Sequence, residues 1–312
     1  MALAPTGSHR LPRALGWGGT VAAALAILTA SPALAARPSH GGGGGGGTAS
    51  TTGNDISFPQ CGGSLPSGQA FGIVGVNDGL ANTPNPCLGP SPSYPSYTQS
   101  ELYWAVVDSS GKGSQPRASL YLNTADPGNG VPDWPTTSMS TDQYGSCGAS
   151  GTTGVGEDST ACAWQYGYNK AAQDASWLAS AASALKAEAP PTTVSGAANA
   201  YPWWLDVETG NSWQSGSNGL AMNVADLQGM VAALSAAGAT QVGVYSTSYQ
   251  WSQVTGGPKY TIGTSLLGLP DWIPGARSLS GAISNCQLTS FTGGVVELTQ
   301  WFSNPYDSDY AC

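Results

Sequence analysis

The chain has 312 residues, a formal net charge of −9 and only 9% charged residues, with 44 glycines, 11 tryptophans and six cysteines. The acidic balance argues against nucleic acid or any polyanion as a partner. The only histidines are His9 and His40, so the rest of the chain can build no Ser-His-Asp triad, Cys-His dyad or ordinary zinc or non-haem iron site.

Residues 1–35 read as a secretory signal peptide. Arg10 and Arg13 form the basic region, Val21–Leu28 is a short apolar core, and Ala33-Leu34-Ala35 is a small-residue cleavage site. The apolar run is too short to span a bilayer, and no later run is longer, so no membrane span is expected. Removing the segment leaves seven basic residues against eighteen acidic ones, a net charge of −11. Residues 36–53 contain seven consecutive glycines, Gly41–Gly47, and read as a flexible linker with nothing to bury. Residues 54–312 then suit one domain, since a (β/α)₈ barrel typically needs about 250 residues.

Apolar runs ending in polar residues predict strands at Asn54–Phe58, Phe71–Asn77, Ala118–Thr124, Trp203–Glu208, Gln241–Ser246, Leu269–Ile273 and Val295–Trp301, with a last extended piece over Tyr306–Cys312. Few of these alternate in polarity, as expected of strands covered on both faces. Helices are predicted over Ser100–Val107, over the Ala-rich Tyr166–Glu188, and over Val224–Ala237 with Asn223 as its cap and Gly238 as its stop. Such alternation predicts an α/β fold of the (β/α)₈ TIM-barrel type. No strand is followed by the GxGxxG of a dinucleotide fold. The Gly/Ser/Thr-rich segment Asp126–Cys162 reads as one long loop, either a cover for a substrate groove or a decorative insertion.

Six cysteines in an exported chain imply disulfides. Sequential pairing closes local loops: Cys61 with Cys87, Cys147 with Cys162, and Cys286 with Cys312. No free thiol then remains for chemistry, and the fold is stapled three times.

The segment Tyr201–Gly210 (YPWWLDVETG) carries the sharpest chemical signal. Strand alternation puts Trp204, Asp206 and Glu208 on one face and Leu205 and Val207 on the other. Two acids on one face at the end of an apolar strand repel and titrate apart, the arrangement that acid/base chemistry on a glycosidic bond uses. A plain surface Asp-x-Glu is the alternative reading.

The order of motifs resembles the family 25 glycoside hydrolases, lysozyme-like muramidases built on an eight-stranded β/α barrel. Asp55-Ile56-Ser57 resembles the family's opening Asp, and Leu205-Asp206-Val207-Glu208-Thr209 its central Asp-x-Glu. Gly243-Val244-Tyr245-Ser246, with Tyr249 and Trp251 following, resembles a later strand, while Gln300-Trp301 and Asp307-Ser308-Asp309 resemble its close. The matches run in family order from Asn54 to the C-terminus. Two departures stand out: Phe58-Pro59-Gln60-Cys61 follows the first motif where the family presents His or Trp, and Asn77-Asp78-Gly79 replaces a Glu-Gly.

The resemblance implies that Glu208 donates the proton, its pKa raised by burial among Trp203, Trp204 and Tyr245, and that Asp206 stays ionised as stabiliser, nucleophile or substrate-orienting group. Asp55 and Asp307 become supporting carboxylates, with turn cap and solvated loop residue as their alternatives. Asp307 with Asp309 makes only a weak calcium pattern, so no metal and no cofactor is expected. Tyr245, with its hydroxyl on the reacting carboxylates, and Trp204, Trp213, Trp251, Trp272 and Trp301 are the substrate-binding candidates, each weighed against core packing.

Together these readings describe a secreted, extracellular or cell-wall-associated monomer that hydrolyses peptidoglycan or a related N-acetylhexosamine polymer. The alternative is a barrel that binds cell-wall glycan without cleaving it. Chitin is a third substrate reading, although the extended acidic run of chitinases is absent because Tyr201-Pro202-Trp203-Trp204 precedes Asp206.

Overall fold

A computed structural model of the chain describes residues 51–79, 83–111, 113–151, 154–188 and 194–312. The signal peptide and the Gly-rich linker, up to residue 50, lie outside the described residues. Among the described residues ten strands are present: β1 (Thr52–Ile56), β2 (Phe71–Gly75), β3 (Ala118–Asn123), β4 (Ala149–Ser150), β5 (Val155–Gly156), β6 (Trp203–Asp206), β7 (Val242–Tyr245), β8 (Asp271–Ala276), β9 (Val296–Ser303) and β10 (Tyr306–Ala311). Eight of them close a barrel in the order β1-β10-β9-β8-β7-β6-β3-β2, and β4 with β5 forms a separate hairpin. Each barrel strand falls within a residue or two of a strand expected from the sequence, apart from the later end of β8.

The expected all-parallel (β/α)₈ barrel needs correction. Seven strands run parallel, but β10 is antiparallel to both β9 and β1. The cause is local. Only Asn304 and Pro305 separate β9 from β10, and a two-residue connection makes a hairpin, whereas a parallel return needs a crossover of a dozen residues or more.

The helices are also uneven. Their ranges are α1 (Glu101–Tyr103), continued by a π-helical stretch over Trp104–Asp108, α2 (Thr160–Glu188), α3 (Gly216–Ala236), α4 (Ser248–Thr255), α5 (Pro258–Thr261) and α6 (Leu279–Asn285). Between β1 and β2 stands only a single 3₁₀ turn, Phe58–Gln60. Helix α3 begins two turns before its expected cap, after extended Ser215. Asn223 lies inside the helix, where its amide donates to the carbonyls of Gln214 and Val254. Gly238 does follow the helix end, at φ 96°, as a left-handed stop.

Two apolar layers result from strand alternation. Val74, Leu120, Leu122, Trp203, Leu205, Val242 and Val244 face outward into the core shared with the helices. Phe71, Ile73, Trp204, Trp272, Leu298 and Ala311 face inward and fill the barrel. The interior is therefore packed, and only its upper end is left for polar groups. Helices α2 and α3 approach so closely that a Cβ on Gly229 would lie 1.9 Å from the Trp164 carbonyl oxygen, and one on Gly167 would lie 2.0 Å from that of Asp226.

All three sequential disulfides are formed, Cys61–Cys87, Cys147–Cys162 and Cys286–Cys312. The long segment after β3 carries the β4–β5 hairpin and a small core of its own, where Trp134, Cys147 and Cys162 pack against Trp164 and Tyr166 of α2. Among the described residues no helix is long and apolar enough to cross a membrane.

Candidate active site

At the C-terminal end of the parallel strands a pocket of about 230 Å³ opens, lined by Asp55, Tyr121, Asn123, Asp206, Glu208, Tyr245, Trp272, Gln300 and Asp307. The alternation of six strands explains this set. Asp55 from β1, Tyr121 and Asn123 from β3, Asp206 from β6, Tyr245 from β7, Trp272 from β8 and Gln300 from β9 all point inward above the apolar filling. Asp55 and Asp307 stand directly opposite each other in the β1–β10 register. The candidate carboxylates Asp55, Asp206, Glu208 and Asp307 all line it, and no lysine or arginine does.

Hydrogen bonds fix the far wall. The Tyr245 hydroxyl donates to Gln300 Oε1 at 3.0 Å, and Gln300 Nε2 donates to Asp55 Oδ2 at 2.9 Å. Tyr245 thus reaches Asp55 through an amide, rather than touching the Asp206/Glu208 pair as expected. Below them Trp272 Nε1 donates to Asp309 Oδ1 at 2.9 Å. On the near wall, with its amide nitrogen turned toward β6, Asn123 donates to Asp206 Oδ2 at 3.0 Å. Asp206 Oδ1 is buried without a partner.

The electrostatics reorder the expected pair. Asp206 is buried while Glu208 is half-exposed at the mouth, so the burial expected at Glu208 is found at Asp206. Burial, then the charges of Glu208 and Asp55, hold the Asp206 carboxyl well above the ordinary range. This environment opposes the ionised Asp206 expected from the sequence. Its near neighbours, Trp203 and Trp204, pack away from Glu208, outside and below the pocket. Burial pushes Asp55 up to about 7, opposed by the Gln300 hydrogen bond and reinforced by the Asp307 charge. Burial, then the charge of Asp55, raises Asp309 well above the ordinary range. Burial also raises Asp307.

The tryptophan candidates divide sharply. Trp272 lines the pocket. Trp204 is fully buried beneath it, edge-on to Trp272 with ring centroids 5.9 Å apart. Trp213 borders the site only through Nε1, which donates to the Glu208 carbonyl at 2.8 Å. Trp251 is buried in the outer core. Trp301 alternates with inward Gln300 and so faces outward. Trp204 and Trp251 are thus core residues, as the packing alternative held, while Trp213 is half-buried against the core and Trp301 is half-buried outside the barrel interior. Tyr121 and Asn123 are not among the candidates, although the same alternation in ASLYLNT marks both.

Among its described residues the long segment after β3 contributes none to this pocket. It borders a neighbouring one, where Pro127 and Val131 face Gly210–Ser212. Among the described residues the only cluster with metal-ligand spacing is Cys61, Cys87 and Glu101, and its two sulfurs are joined to each other.

Comparison with protein-family models and with curated proteins gives no match. Among solved structures the chain is similar to muramidases and lysozymes. A muramidase from Acremonium alcalophilum shares 12% identity over 84% of this chain and 94% of that one, with a TM-score of 0.42. A muramidase from Trichobolus zukalii shares 15% over 84% and 94%, at 0.41. A bacterial lysozyme from Streptomyces coelicolor shares 13% over 85% and 93%, at 0.39.

Proposed function

We propose that this protein is a glycoside hydrolase, secreted to act on peptidoglycan or a related N-acetylhexosamine polymer. One observation carries the reading: four carboxylates converge in a pocket that holds Trp272 and amide donors but no cationic side chain. Cleaving a glycosidic bond requires a proton for the leaving oxygen and a negative group facing an oxocarbenium-like transition state. A cation-free wall of carboxylates stabilises that developing positive charge, while it would repel phosphate or carboxylate substrates.

Within this reading Glu208, on the solvent side of the pair, meets the leaving oxygen and donates the proton, and Asp206 is the carboxyl group beside the sugar. Burial, then the charges of Glu208 and Asp55, sets Asp206 well above the ordinary range. Asp55, aligned by Gln300 and Tyr245, and Asp307 add to the field. Three disulfides suit an oxidising, extracellular setting.

Reducing-end release from purified peptidoglycan, with chitin in parallel, tests the reading. Glu208→Gln is expected to lower kcat by at least about 100-fold, the scale of one general acid, with glycan binding retained. If wild type and Glu208→Gln both bind and neither cleaves, the barrel is a glycan-binding protein and the hydrolase reading is dead.

A further inference from the structure

The pocket, at about 230 Å³, is smaller than the 300–1,000 Å³ of sites that enclose a whole small ligand. A polymer engaged there leaves most of its rings outside, lying across the rim. What the rim offers beside the pocket therefore decides how the chain is held.

Strand register places one aromatic side chain there. Residues directly opposite in an antiparallel pair point to the same face. Asp55 stands opposite Asp307, and Asp307 stands opposite Phe302. Asp55 and Asp307 line the pocket, so Phe302 faces the same way. Alternation along β9 agrees, because Leu298 fills the barrel and Gln300 lines the pocket. Phe302 is the next inward position above them, and the barrel has no core left at that height. Its side chain is 69% exposed. The hairpin that carries it is held down by the Tyr306 hydroxyl, which donates to the Ser64 carbonyl.

We propose that Phe302 is a stacking platform for the sugar ring next to the one held in the pocket. The inference rests on the glycan reading above. A benzyl side chain has no hydrogen-bonding end, so it selects a ring through a flat face of C–H groups. Pyranoses with equatorial substituents present such a face, as the rings of β-linked N-acetylhexosamine chains do. Exposed phenyl surface gains from covering by such a face and gains nothing from a polar or phosphorylated ligand.

The test uses co-sedimentation of the full chain with insoluble peptidoglycan in a Glu208→Gln background, where turnover does not erode the ligand. Adding Phe302→Ala is expected to weaken binding on the order of tenfold, and Phe302→Trp to restore it. Leu288→Ala serves as the control. Leu288 is 50% exposed, two residues past Cys286, whose disulfide to Cys312 lies at the opposite end of the barrel. In the cleaving protein Phe302→Ala should raise KM while kcat stays within about twofold, a split that general destabilisation does not produce. Unchanged binding by Phe302→Ala, with the Glu208→Gln parent binding normally, overturns the platform and leaves the hydrolase reading standing. Failure of the parent to bind any glycan, with wild type cleaving none, removes both.

Discussion

At the scale of single residues, Asp206 combines features that folding alone does not favour. It is buried, one of its oxygens has no partner, and it sits near the charges of Glu208 and Asp55. An amide of the same shape has no charge to desolvate, so Asp206→Asn should raise stability by about 1 kcal/mol, read as a higher thermal midpoint. The same change should lower reducing-end release by about 100-fold or more, because the carboxyl group beside the sugar is lost. Gain of stability with loss of activity is the mark of a group kept for function, and a variant that loses both points to a structural role instead. The alternation in YPWWLDVETG made the shared face of Asp206 and Glu208 legible in advance. Which of the two is buried was not legible, since that depends on how high each stands in a barrel that neighbouring strands complete. The tryptophans misled for a related reason. Periodicity tells which face a ring is on only once the strand's own layer is known, and Trp251 and Trp301 belong to the outer one.

Among the elements, two contacts invite measurement. Helices α2 and α3 meet backbone to backbone at Gly229 and Gly167, where a methyl group would overlap carbonyl oxygens at about 2 Å. Gly229→Ala should therefore destabilise by about 3 kcal/mol, the upper part of the overpacking range. Ordinarily Gly→Ala in a helix stabilises by up to about 1 kcal/mol, so the close approach should show as a reversed sign in the change of denaturant midpoint. The segment after β3 gives the opposite expectation. Its Cys147–Cys162 disulfide closes a 15-residue separation, worth about 3 kcal/mol in the chain-entropy account. None of its described residues lines the carboxylate pocket. The double replacement by serine should lower the unfolding midpoint while leaving turnover at 25 °C within about twofold; a large loss of turnover would make the segment part of the site. The three pairings were legible because each joins neighbours along the chain. The antiparallel last strand was legible too, in the short gap between the last two apolar runs, but the regular barrel pattern of the preceding strands masked it.

For the molecule as a whole, carboxyl burial sets an unusual dependence on pH. Each Asp or Glu with a displaced pKa is displaced upward, with burial the leading cause. Glu101, fully buried with Asn85 Nδ2 donating to it at 2.6 Å, is pushed up to about 8. Asp55 reaches about 7 and Asp126 about 6. In the unfolded chain these groups titrate near 4. Between about pH 4 and the raised values the folded state therefore holds more protons than the unfolded one, and stability falls as pH rises. The contribution is complete below about pH 4 and is lost as pH climbs through 6 to 8, with a slope approaching 1.4 kcal/mol per pH unit for each group inside its window. This is the reverse of acid denaturation driven by ion-paired carboxylates. Denaturant unfolding at pH 5 and pH 8 should show the higher midpoint at pH 5. Glu101→Gln, which keeps an acceptor for Asn85 and removes the titration, should flatten the difference. A midpoint that is equal at both pH values, or higher at pH 8, would show that these carboxyls are hydrated or paired in solution. In that case the raised carboxyl of Asp206 loses its physical basis as well, since it rests on the same desolvation.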